Sequence, residues 1–238
     1  MLIREQYHAA LERDAAAFAQ VIRSGDLAAD VANCPGWTTL DLAKHLGGVH
    51  RWAHEAITTG APGDEPVGPD ARDALVEWFS EGAAQLLDLL RKTDPDAPAW
   101  TFGPHPRRVS FWSRRQAHET AMHLGDARKV LGETATPDCE LAADGVDEVV
   151  TVFFPRQVRL GRIPPLTHGV RIVLSDGPKT AYVLAGDGTD PGAPTEATVT
   201  GPAGRLLLAV WGRADIDGLE VMGDPAVVRA TLGAGITP

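Results

Sequence analysis

Two imidazoles and a carboxylate crowd into HETAMH, His118 to His123, which has the residue types of an H-E-x-x-H metal motif with one residue too many. In that motif the histidines are four apart, so both rings leave one helical face. Here they are five apart, and at about 100° per residue they diverge by roughly 140°. They cannot share an ion on an unbroken helix. Glu119 and His123, four apart, do share a face. The extra residue converts a His/His pair into a Glu/His pair.

Two donors on one helix do not hold a transition metal tightly, so a third must come from another element. The best donor is His45, eight residues after Trp37 on an amphipathic helix, because antiparallel bundles build sites from facing helices. His50 and His54 lie roughly 140° and 180° round that helix from His45, so neither joins it at one ion. By spacing alone, a solvated or hydrogen-bonded Glu/His couple fits the pattern as well.

The neighbours carry paired expectations. Asp126, three beyond His123, can hold that ring's other nitrogen or pair with Arg128 or Lys129 on the surface. Arg115, four before Glu119, can receive a substrate carboxylate or bridge to Glu119. Trp112 lies seven before Glu119 on nearly the same stripe, as a wall of the substrate cleft or as core. His118 is expected beside the site or packed in the core, and Trp37 at the turn into the His45 helix. The connector AWTFGPHPRRVSFW is long enough to drape over the metal face, offering His105, Arg107 and Arg108 to an anionic or sugar substrate, or it is an ordinary solvated loop.

Positioning these residues requires helices. Apolar residues recur at three- and four-residue spacing through the first ~155 residues, between loops rich in Pro and Gly. Helices are expected over about 2–22, 38–58, 71–90, 110–131 and 142–154, with Thr38 or Thr39 as a cap and Asp41 in the first turn of the second. The first four suggest an antiparallel bundle. After RIPPL the pattern changes. HGVRIVLSD and KTAYVLAG, separated by Asp-Gly-Pro, read as a hairpin; TEATVTG and LEVMGD read as strands, PAGRLLLAVWGR as an apolar helix, and 225–232 as a short one. The expected division is a helical domain over 1–160 and a small α+β domain over 166–238.

Bulk properties narrow the partners. A net charge of −10 opposes binding to a phosphate backbone, so no nucleic-acid partner is expected. Nothing approaches the ~20 apolar residues of a membrane span, and the charged N-terminus does not resemble a signal peptide; a cytoplasmic protein is expected. Cys34 and Cys139 form no CxxC pair and are expected to be partly buried thiols with no role.

CPGWTTLDLAKHLGGVHRW, FWSRRQAHETAMHLGDAR and ATVTGPAGRLLLAVWGR together resemble the mycothiol-dependent maleylpyruvate isomerase family, over nearly the whole chain. The resemblance implies a DinB-like metal-binding four-helix bundle followed by a sterol-carrier-like α+β domain. It also implies zinc on His45, Glu119 and His123, with mycothiol, a sugar-linked cysteine derivative, as co-substrate.

Two neutral nitrogens and one carboxylate leave a divalent ion at least one open position, as catalytic sites do. A thiol entering there is held as thiolate and can attack an electrophilic carbon. Adduct formation or a cis/trans isomerisation follows from the same sulfur. Monomer and homodimer both remain open. Two rivals stand beside this. The same donors occur in non-haem iron sites; or the bundle keeps an ion for stability while LLLAVW marks a carrier for an apolar ligand.

Overall fold

Four helices of similar length account for most of the first half of the computed structural model, which describes residues 2–133, 136–177 and 181–238. They are α1 (Arg4–Ser24), α2 (Thr39–Thr59), α3 (Arg72–Lys92) and α4 (Val109–Val130). The start of α2 is set by a reciprocal cap: Thr38 Oγ1 accepts from the Asp41 N–H at 3.3 Å, and Asp41 Oδ2 accepts from the Thr38 N–H at 2.9 Å. Gly60, with φ of 70°, ends it in the left-handed region where a side chain is strained.

The contacts reveal how the four helices run. Arg4 of α1 donates to the carbonyls of Leu90 in the last turn of α3 and Thr93 just beyond it, and Arg72 at the start of α3 donates to Ile22 O, so α1 and α3 are antiparallel. His45 meets Glu119, and Trp52 meets Trp112, so α2 and α4 are antiparallel too. The pairs α1/α4 and α2/α3 run parallel: His8 bonds Ser113 near one end, while Phe18 and Leu124 share a core cluster nearer the other. A parallel α2/α3 pair obliges residues 60–71 to cross the length of the bundle, back along α2.

Two apolar clusters fill the bundle, one around Phe18, Leu46, Phe79 and Leu124, the other around Leu11, Ile57, Leu86 and Trp112. At the level of Phe79 the core becomes polar: His50 Nε2 and Thr120 Oγ1 share a hydrogen bond of 2.9 Å, and the His50 ring lies 5.4 Å from that of Phe79. His50 Nδ1 and both polar atoms of the Gln116 amide are buried without a hydrogen-bond partner among the described residues.

The chain divides into compact units at Leu2–Ala135 and Thr136–Pro238, earlier than the sequence suggested. The helix expected to close the first domain belongs to the second. That helix, α5 (Cys139–Glu148), passes through a π-helical turn over Val149–Phe153 into α6 (Phe154–Arg159). Its apolar residues Leu141, Ala142 and Val146 are buried, it packs against α7 (Ala203–Val210), and Ala143 O accepts from Tyr182 Oη at 3.2 Å.

Four strands, β1 (Leu166–Leu174), β2 (Ala181–Gly186), β3 (Ala197–Gly201) and β4 (Glu220–Met222), form one sheet in the order β2-β1-β3-β4. The β1/β2 and β3/β4 pairs are antiparallel, and β1/β3 is parallel, with α7 following β3. The expected pairing of β1 with β2 is present, and Pro178, Lys179 and Thr180 lie outside the described residues. Helix α8 (Pro225–Leu232) begins at an Asp224 cap. The LLLAVW run is largely interior: Leu206, Leu207, Ala209 and Val210 are buried, and Trp211 meets Phe153 edge-on at 5.3 Å. No helix among the described residues is long and apolar enough to cross a membrane.

Candidate metal centre

Helices α2 and α4 bring His45, Glu119 and His123 together on facing sides of the bundle. His45 Nε2 lies 3.4 Å and His123 Nε2 3.2 Å from the same oxygen, Glu119 Oε1, and the three donor atoms fall within 4.8 Å of one another. Tetrahedral zinc with bonds of about 2.0–2.1 Å has edges of about 3.3–3.4 Å. Both nitrogen-to-oxygen spacings therefore fit such an ion.

The far nitrogen of each ring is held by a carboxylate. His123 Nδ1 donates to Asp126 Oδ2 at 3.0 Å, and His45 Nδ1 to Glu65 Oε1 at 2.9 Å. With the Nδ1 proton held there, a neutral ring presents its Nε2 lone pair to a metal, the usual support of metal-binding histidines. Glu65 was missed in the sequence. It comes from the 60–71 crossover, twenty residues from its partner, and nothing local marks it. The fit depends on Gly48, where a Cβ would stand 2.7 Å from Glu65 Cγ and 2.9 Å from Pro66 O.

Charge at the site is tightly coupled. Burial opposes the charged form of His45, yet its hydrogen bonds to Glu119 and Glu65 outweigh this and raise its pKa to about 8. Burial likewise disfavours charge on Glu119 and His123. Arg115 and His123 nevertheless hold Glu119 well below the carboxylate range, while Glu119 and Asp126 hold His123 well above the usual imidazole value.

Other sequence expectations change. Arg115 Nη2 donates to Glu119 Oε2 at 2.6 Å, and its side chain is only 3% exposed, so it is an internal partner of Glu119 and presents no surface for a substrate carboxylate. Trp112 is fully buried, with its indole N–H bonded to Trp100 O at 2.7 Å, and it belongs to the core. The half-buried rings around it, Trp52, Trp100, Phe102 and Phe111, are the aromatic surface at that level. His118 is buried against Tyr7. Trp37 does more than shape a turn, since its ring sits edge-on 4.8 Å from His45.

The long connector does not reach the metal face. Arg108 pairs with Asp96, and His105 and Arg107 are exposed around the start of α4, about 15 Å along the helix from Glu119. The crossover 60–71 takes the place expected for it.

Residues 8–128 match the mycothiol maleylpyruvate isomerase N-terminal domain, which is half of the chain, and residues 140–230 match the C-terminal domain of the same family. The chain belongs to the mycothiol maleylpyruvate isomerase family. Solved structures of the mycothiol-dependent maleylpyruvate isomerase and of a histidine-to-alanine mutant share its fold, with TM-scores of 0.63 and 0.64. Each is 19% identical, covering 92% of this chain and 93% of its own. No curated protein sequence matches the chain. The two family matches straddle the structural division at Ala135, leaving α5 with the C-terminal domain.

Proposed function

We propose that this protein is a zinc-dependent enzyme that uses mycothiol to attack an electrophilic small molecule, either isomerising a cis double bond or transferring the thiol. The observation that carries this is the meeting of two imidazole nitrogens on one carboxylate oxygen, with each ring's other nitrogen held by a second carboxylate. Membership of the isomerase family supports a thiol-dependent isomerase.

A zinc ion held by His45, Glu119 and His123 would supply a Lewis-acidic open position that favours the anionic form of an entering thiol. The chain's own residues prepare that position. Arg115 occupies Glu119 Oε2, so Oε1 is the oxygen turned toward the two rings. Glu65 and Asp126 keep the Nδ1 protons in place, and the half-buried Trp37 shields one side of His45 from water.

The test combines metal content with turnover. Purified protein should hold about one zinc per chain. With mycothiol and a panel of electrophiles that includes maleylpyruvate, it should consume thiol or convert the cis acid faster than buffer does. Glu119→Gln should lose both zinc and turnover while keeping its helical spectrum. Iron in place of zinc would support the oxygenase alternative, and metal without turnover the carrier alternative.

A further inference from the structure

Cys34, in the loop before α2, lies on the far side of the His123 ring from the centre described above. Its Sγ is 3.8 Å from Asp126 Oδ2, the oxygen that also accepts from His123 Nδ1 at 3.0 Å. The three donor atoms lie within 4.8 Å of one another, the second such group among the described residues. We propose that Cys34, His123 and Asp126 form a second binding site, joined to the first through the His123 ring, for a thiophilic metal ion, with Cd2+ or a further zinc as occupant.

The arrangement is built. Asp126 is 1% exposed, and its other oxygen accepts from Asn33 Nδ2 at 2.8 Å; Asn33 Oδ1 in turn accepts from Lys129 at 3.1 Å. Oδ2 is thereby aimed at the gap between the ring and the sulfur. The loop is pinned on both sides of the thiol, because the Cys34 N–H donates to Val31 O at 2.8 Å and Cys34 O accepts from the Trp37 N–H at 3.0 Å. A tetrahedral ion with bonds of about 2.3 Å to sulfur and 2.0–2.1 Å to nitrogen and oxygen needs edges of about 3.3–3.6 Å. The Sγ–Oδ2 distance of 3.8 Å and the Nδ1–Oδ2 distance of 3.0 Å each come within a few tenths of an ångström of those edges. Cys34 is half-buried, which leaves a route for the ion.

One thiolate among the donors selects soft ions over magnesium or calcium. Binding forms the sulfur, nitrogen and carboxylate bonds to the ion and releases the Cys34 thiol proton and the His123 Nδ1 proton to solvent. It also ends the hydrogen bond by which Asp126 orients His123. A thiophilic ion in this position therefore inhibits chemistry at the neighbouring centre, although the site itself does not depend on the function proposed for that centre.

The test is a titration of the full-length zinc-loaded protein with Cd2+, reading thiolate-to-cadmium charge transfer in the ultraviolet and metal content per chain. Exchange at His45, Glu119 and His123 produces no such band, since those donors include no sulfur. Wild type should gain the band with one cadmium per chain. Cys34→Ser should lose it, Asp126→Asn should weaken binding about ten-fold or more, and Cys139→Ser should behave as wild type. Glu119→Gln should keep the band, which separates failure of this site from failure of the zinc centre. If Cys34→Ser does not fold, protection of Cys34 from alkylation by prior Cd2+, read by mass spectrometry on wild type, replaces it. Absence of the band in wild type, its survival in Cys34→Ser, no loss of affinity in Asp126→Asn, or unprotected Cys34 overturns the proposal.

Discussion

Each imidazole of the candidate centre has its two nitrogens divided between a metal-facing carboxylate and a supporting one, and the supporting pair sets how well the rings are aimed. Glu65→Ala is expected to lower zinc affinity about 10- to 100-fold, with Glu65→Gln recovering part because its amide oxygen still accepts from Nδ1; competition with a chromophoric chelator measures both. Trp112→Ala should behave as a core truncation. It is expected to cost about 3–5 kcal/mol in denaturant unfolding with little change in KM, whereas a cleft wall would show the opposite. Asp126 and Arg115 were legible as neighbours because helical spacing fixes which residues share a face. Which partner each takes was not, since Arg115 could face substrate or Glu119 until its burial was known.

At the level of elements, the reach of a loop follows from the direction of the helices it joins. Residues 60–71 pass the metal face because α2 and α3 run parallel, and the longer 93–108 connector does not because it joins two helices at the same end of the bundle. Gly47 and Gly48 in the middle of α2 each cost roughly 1 kcal/mol of helix propensity relative to alanine. Their places are explained by the close approach of Trp78 to one and of Glu65 and Pro66 to the other. Gly48→Ala should leave the circular dichroism of α2 intact yet push Glu65 away, lowering zinc affinity by about ten-fold, within the range expected for loss of a supporting carboxylate. An unchanged chelator titration would show that the crossover yields without releasing His45.

For the molecule as a whole, the polar layer inside the bundle links stability to acidity. Burial lowers the pKa of His50 to about 3 from an ordinary 6.5. The unfolded chain therefore takes up a proton below 6.5 that the folded one refuses until about 3. Stability from this residue is complete above pH 6.5 and falls as pH drops toward 3, by about 5 kcal/mol in all. His50→Gln should flatten that part of the stability profile of the metal-free protein, measured as the difference in urea midpoints between pH 7 and pH 4. Periodicity, caps and face-sharing are local, so the four bundle helices and the later strands could be read along the chain, as could His45, Glu119 and His123 as potential ligands once the resemblance supplied their pairing. The membership of α5 in the second unit, the contact of Glu65 with His45, the inward turn of Arg115 and Trp112, and the place of Cys34 beside Asp126 emerged in three dimensions alone. Each of these depends on which surfaces meet, and burial against a distant segment leaves no period or spacing in the chain to read.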